Sequence, residues 1–142
     1  MEITHTTTID APVERVWQLT LDIAALPSIT PTVTVVERLD DGPVTVGSRA
    51  RLRQPGLPPL VWAVEEVDAA QRFRWATRLL GVRMVATHDL EPVGTDRCRL
   101  TLRVAFEGAG AGLLGRLGRR RIAAALATEG AGFARAAGTV PA

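Results

Sequence analysis

One long amphipathic helix closes a chain that otherwise reads mainly as strands, and this order leaves few folds open. From Gly112 to about Ala137, the residues Ile122, Leu126, Glu129, Phe133 and Ala137 recur at spacings of four, three, four and four, so they form one stripe. Leu113, Leu114 and Leu117 point elsewhere, with Gly115 and Gly118 between them, so a bend or a separate short helix is expected before Arg119. Six segments with period-two alternation precede this region: Thr32–Leu39, Ser48–Gln54, Leu60–Val67, Arg72–Leu79, Val82–Leu90 and Arg97–Glu107. Ile3–Ile9 adds a strand at the start. Asp10-Ala11-Pro12 then suits a capped helix start, and Val13, Val16, Trp17 and Thr20 share one side of a short helix that Pro27 and Pro31 bring to an end. An antiparallel sheet with one apolar face must be covered, and only one long helix is present to do it. The expectation is an α+β domain: a curved antiparallel sheet of about seven strands wrapped around the C-terminal helix, with two short helices after the first strand. A sheet curled around one helix leaves space between them, and that space is a candidate ligand cavity.

The chain has 142 residues, which fits one domain over 1–142. Hydrophobic residues make up 46% and charged residues 23%, an ordinary globular balance. Lysine, asparagine and tyrosine are absent, so chemistry that needs a tyrosine hydroxyl is excluded. All 17 basic residues are arginines, but the net charge is only +2, which gives no concentrated basic face for nucleic acid. No apolar run is long enough for stable membrane insertion. The start of the chain lacks a basic, then apolar, secretory pattern, so the protein is read as cytoplasmic. Cys98 is the only cysteine, which rules out an internal disulfide and leaves no cysteine-based metal cage. No short metal motif, phosphate loop, dinucleotide fingerprint or nucleophile elbow is present, and no cofactor is expected.

Particular residues then resemble a known family. Ile9-Asp10-Ala11-Pro12-Val13-Glu14-Arg15-Val16-Trp17, with Asp22, Leu26-Pro27 and Pro31, is similar to the N-terminal signature of the START-like (SRPBCC) superfamily. Val36-Glu37, Val46-Gly47-Ser48, Trp62-Ala63-Val64-Glu65, Phe73-Arg74-Trp75 and His88-Asp89-Leu90-Glu91-Pro92 continue the pattern across the chain. Among its groups, the chain most resembles the polyketide cyclase/dehydrase and lipid-transport-like proteins. The resemblance implies a helix-grip fold with a hydrophobic cavity. It does not select an activity, because the superfamily hosts carriers, sensors, cyclases and co-chaperone domains. Two departures stand against an aromatic polyketide cyclase: Ser28-Ile29 follows Leu26-Pro27 where relatives often carry tryptophan, and tyrosine is missing.

Glu129 is the most informative polar residue, because it sits between Leu126 and Phe133 on the stripe that must face the sheet. A buried carboxylate is costly unless it is paired or protonated. One reading is an acid/base with a raised pKa; the other is a glutamate bridged to arginine or wetted at a cavity mouth. On alternation His88 shares a face with Met84 and Leu90, and His5 with Ile3 and Ile9. His88 and Glu129 together would suit proton transfer beside a carbonyl. The apolar lining is expected to be Trp62, Trp75, Met84, Leu100, Leu102, Val104, Phe106, Leu126 and Phe133. Arg119 leans toward the stripe from the Arg116–Arg121 cluster and is placed at the cavity mouth, facing an anionic head group. The strand arginines fall on the outward face, where cross-strand ion pairs are expected.

Three classes of function remain open. The first is binding of a small hydrophobic molecule such as a lipid, polyketide or aromatic metabolite. The second is a metal-free cyclase, dehydratase or isomerase using Glu129 and His88. The third is a co-chaperone-like or membrane-surface interaction module with a collapsed interior. The sequence leaves the ligand and the oligomeric state unspecified.

Overall fold

The structure, a computed structural model, describes residues 1–138. Strand β1 (Glu2–Ile9) leads into helix α1 (Val13–Leu21), a 3-10 turn at Ile23–Ala25 and helix α2 (Leu26–Ile29). The meander β2 (Val35–Arg38), β3 (Arg49–Arg53), β4 (Leu60–Asp68), β5 (Arg72–Leu79), β6 (Val82–Val93) and β7 (Arg97–Glu107) follows, and α3 (Ala111–Gly138) completes the order. All seven strands join one sheet in the order β1-β7-β6-β5-β4-β3-β2. Every pairing is antiparallel. The expected helix-grip architecture is therefore present, with short helices between the first two strands.

The sheet obeys the sequence alternation. On β6, Val82, Met84, His88 and Leu90 are buried, while Arg83 and Asp89 are partly exposed on the other face. Register shifts between Val64 and Glu66 where β4 pairs with β5, the kind of irregularity that bends a strand and lets a sheet curl. The convex face is laced with cross-strand ion pairs: Arg83 bonds Glu65 and reaches Glu107 at 3.0 Å, Arg72 holds Asp89 at 2.6 Å, and Arg74 holds Glu66 at 3.0 Å. The Arg83 guanidinium holds the Glu65 carboxyl below its ordinary value.

Helix α3 lies mainly against β1 and β7, with α1 and α2 packed on its side. The β3–β6 part of the concave face is left largely uncovered by the helix. Gly130 and Gly132 allow a close approach on the covered side. A Cβ at Gly130 would sit 3.1 Å from His5 Cδ2, and one at Gly132 would collide with the backbone carbonyl of Ile29. Their low helix propensity is the cost of bringing α3 onto β1 and α2.

Two local expectations are corrected. The helix runs unbroken from Ala111 to Gly138, with no separate segment before Arg119. Gly115 is buried against Phe106 and Met1, so long-range packing carries the helix through its glycines. Asp10 does not cap α1; Pro12 occupies that position, and exposed Asp10 lies 3.7 Å from Arg97.

Candidate functional site: a cavity between sheet and helix

A cavity of about 610 Å³ lies between the uncovered strands and α3. Its volume is within the usual range for small-molecule sites. Trp62 and Trp75 stand on one wall with ring centroids 5.5 Å apart. Met84 and His88 come from β6, and Leu102, Val104 and Phe106 from β7. Leu126 and Glu129 enter from α3. The exposed members of the lining, Pro31, Pro55, Gly56, Leu117, Arg121, Ala124 and Thr128, mark the mouth between α3, the β3–β4 loop and the segment after α2.

Three residues placed at the site from sequence lie elsewhere. Leu100 and Phe133 are fully buried in the core and do not line the cavity. Leu100 pairs across the sheet with Thr7 and Leu90, near the strand ends under α1, away from the open half. Phe133 stacks edge-on to His88 at 5.6 Å and so supports the cavity wall from behind. Arg119 is exposed and points toward the start of β1, with Nη1 3.9 Å from Met1 Sδ. Arg121 takes the position at the mouth. His5 packs on Gly130, outside the cavity. Sequence reasoning missed Arg121, Gln54 and Leu52. Leu52 was readable from alternation on β3, but the other two owe their place to the β3–β4 loop, which carries no periodic signal.

The polar centre is a pair. His88 Nε2 lies 3.6 Å from Glu129 Oε1. The imidazole is held between Phe73 and Phe133, with ring centroids at 5.8 and 5.6 Å. Burial removes water from both groups and disfavours their charged forms. It pushes the His88 pKa down to about 4 and the Glu129 pKa up to about 7. Between those values both are neutral, with Glu129 carrying a proton that it can donate and His88 able to accept one. A carboxyl that titrates near neutrality is poised to give and take a proton.

Among the described residues, three buried polar atoms on cavity-lining residues have neither a hydrogen-bond nor an ion-pair partner: Trp62 Nε1, Gln54 Oε1 and His88 Nδ1. An unpartnered buried polar atom costs on the order of 1–3 kcal/mol. Their concentration around one apolar hollow is the arrangement of a binding site with a few orienting groups. Among the described residues, no group of three or more histidine, cysteine, aspartate or glutamate side chains is placed to hold a metal ion. Cys98 is fully buried outside the cavity, and burial pushes its thiol pKa up. Among the described residues, no helix is long and apolar enough to cross a membrane.

Fold and site together define a helix-grip domain with a mostly apolar cavity between sheet and helix. The profile of the family described as polyketide cyclase/dehydrase and lipid transport matches residues 1–137, and the chain belongs to that family. No curated protein sequence matches it. Solved structures share the fold. The di-domain aromatase/cyclase BexL of the BE-7585A biosynthetic pathway is 22% identical at a TM-score of 0.72, over 93% of this chain and 46% of that one. The present chain thus spans about half of that two-domain protein. The Zhui aromatase/cyclase from Streptomyces sp. R1128 is 22% identical at a TM-score of 0.66, with 99% of each chain covered. Norcoclaurine synthase from Thalictrum flavum, solved with dopamine and hydroxybenzaldehyde, is 19% identical at a TM-score of 0.74, over 95% of this chain and 84% of that one. At these identities the likeness establishes the fold.

Proposed function

We propose that the protein binds a small hydrophobic molecule, of the lipid, polyketide or aromatic-metabolite kind, in the cavity between sheet and helix. The observation that carries this reading is the hollow of about 610 Å³, walled by Trp62, Trp75, Met84 and Phe106 and bordered by unpartnered polar atoms of Trp62, Gln54 and His88. An apolar guest removes the two indole faces from water, and one or two polar atoms on it satisfy the orphaned groups. The family membership supports the same reading. The interaction-module alternative required a filled interior, and the cavity argues against it.

The test is a fluorescence titration with the neutral apolar probe N-phenyl-1-naphthylamine, run beside an Ala86→Phe variant that places an aromatic ring in the cavity. Saturable enhancement in the native protein, lost in the variant while the fold melts normally, is the expected result. No enhancement in the native protein, or equal enhancement in both, rejects the cavity as a binding site.

A second reading is favoured by the His88–Glu129 pair: a cyclase- or dehydratase-like reaction on the bound molecule. Protonated Glu129 would donate to a developing oxyanion or leaving hydroxyl, and neutral His88 would take a proton from a neighbouring carbon. Relatives named as aromatase/cyclases and as norcoclaurine synthase share the fold and lend this reading support. Heteronuclear NMR titration of the Glu129 carboxyl in the ligand-free protein tests its premise. A midpoint near neutrality is expected, and an ordinary carboxylate midpoint removes the proton donor.

A further inference from the structure

We propose that the guest of this cavity is an apolar molecule with one anionic group, and that Arg121 holds that group at the mouth. The inference rests on the cavity-binding reading and adds the chemical class of its ligand.

Arg121 stands apart from the other arginines near the binding space. Arg103, the second arginine bordering the cavity, is engaged by Glu2 at 3.2 Å and Asp89 at 3.4 Å. The arginines in the middle of the sheet, Arg72, Arg74 and Arg83, each hold a carboxylate. Arg121 has no hydrogen-bond or ion-pair partner among the described residues, and α3 carries no acid before Glu129. Its guanidinium is nevertheless placed with some care. It lies over the backbone of Gly56 in the β3–β4 loop, so closely that a Cβ there would come within 2.7 Å of Cζ. Gly56 also has a φ of +82°, which other residues rarely adopt. The loop thus makes a shelf across which the guanidinium reaches from α3.

The sign of the site follows from the rest of the lining. Glu129 is the only acid among the described cavity residues. It lies eight residues further along α3, about 12 Å at the helical rise. An anionic end placed inward would face that carboxyl, whereas one placed outward meets an unpaired, permanently charged arginine with planar donors suited to a carboxylate. The space between is apolar, with Leu126, Ile122 and Leu57 on its sides. The ligand is then an amphipathic anion whose apolar body spans roughly a dozen ångströms from head group to the His88–Glu129 pair.

Competition against bound N-phenyl-1-naphthylamine tests this, using decanoate and decanol, two chains that differ only in the head. The native protein is expected to bind decanoate more tightly than decanol by on the order of fivefold at low salt, as suits a solvent-accessible ion pair. The preference should shrink as salt is added. Arg121→Gln is expected to abolish it, by weakening decanoate toward the level of decanol. Arg120→Gln, which removes an adjacent exposed charge that does not line the cavity, is expected to keep it. Equal binding of the two chains, a preference that survives Arg121→Gln, or equal loss in both variants overturns the anion site while the cavity reading stands. Failure of the neutral probe and of decanol to bind at all overturns both.

Discussion

His88 on β6 and Glu129 on α3 face each other across 3.6 Å in a setting where neither keeps its ordinary proton affinity. The acid is raised and the base is lowered, so the two titrations oppose each other. A raised Glu129 means that the unfolded chain releases that proton first, and stability falls as pH rises from 4.5 to about 7. A lowered His88 means that the unfolded chain takes up a proton first, and stability falls as pH drops from 6.5 toward 4. Glu129→Gln removes only the first effect. Relative to the native protein, the variant is expected to gain stability progressively through pH 4.5–7, levelling off above that at roughly 3 kcal/mol. Chemical denaturation of both proteins at a series of pH values measures the difference, and a constant offset would contradict it.

Glycine replacements in α3 should act with opposite signs. Gly132→Ala drives a methyl into the Ile29 carbonyl, and backbone cannot swing aside as a side-chain tip would. A loss of at least about 2 kcal/mol is expected. A Cβ at Gly112 meets nothing within 4 Å, so Gly112→Ala should stabilise by up to about 1 kcal/mol through helix propensity. Urea midpoints at constant slope report both values. A neutral Gly132→Ala would mean that α2 and α3 are not in contact there.

Wall and core residues should separate binding from stability. Leu100→Ala, at a fully buried position outside the cavity, is expected to cost about 2–5 kcal/mol and to leave the affinity for N-phenyl-1-naphthylamine unchanged at temperatures where the variant is folded. Met84→Ala, on the cavity wall, should weaken the probe severalfold at a smaller cost in stability, because the space beside Met84 is already empty. Paired thermal melts and titrations make the comparison. The assignment of core and wall fails if the two variants behave alike.

The convex ion network should matter only while its acids are ionised. Arg83 bridges Glu65 and Glu107, with about a third of its side chain accessible, so Arg83→Met is expected to cost on the order of 1 kcal/mol at neutral pH. Glu65 has a lowered pKa, so its contribution is present above 4.5 and disappears as pH falls through the folded-state value. The gap between native and variant melting temperatures should therefore close in acid. A gap that persists there would show that lost packing, not charge, is responsible.

Much of this architecture could be read from residue spacing, and the failures have a common cause. Period-two alternation placed Trp62, Trp75, Met84, His88, Leu102, Val104 and Phe106 on the concave face, and the helical stripe placed Leu126 and Glu129 opposite them. Alternation assigns a face and carries no information about which part of that face a helix covers. Leu100 therefore looked equivalent to Leu102, although the strand ends near α1 are closed and the middle is open. The choice between Arg119 and Arg121 had the same origin: both flank the stripe, and only the position of Met1 on one side and Gly56 on the other tells them apart. The break expected near Gly115 did not occur because Phe106 and Met1, far away in sequence, pack against it.

The seat of α3 on β1 and β7 has a consequence for how such a chain can change. Strand β1 anchors the helix without bordering the hollow, β3–β6 border the hollow with little contact to the helix, and β7 does both. Substitutions along β3–β5 can reshape the chamber without loosening the anchorage, and the β3–β4 loop can change the groups at its mouth in the same way. A scaffold divided in this way lends itself to new guests through drift at a handful of inward positions, long before the framework itself has to alter.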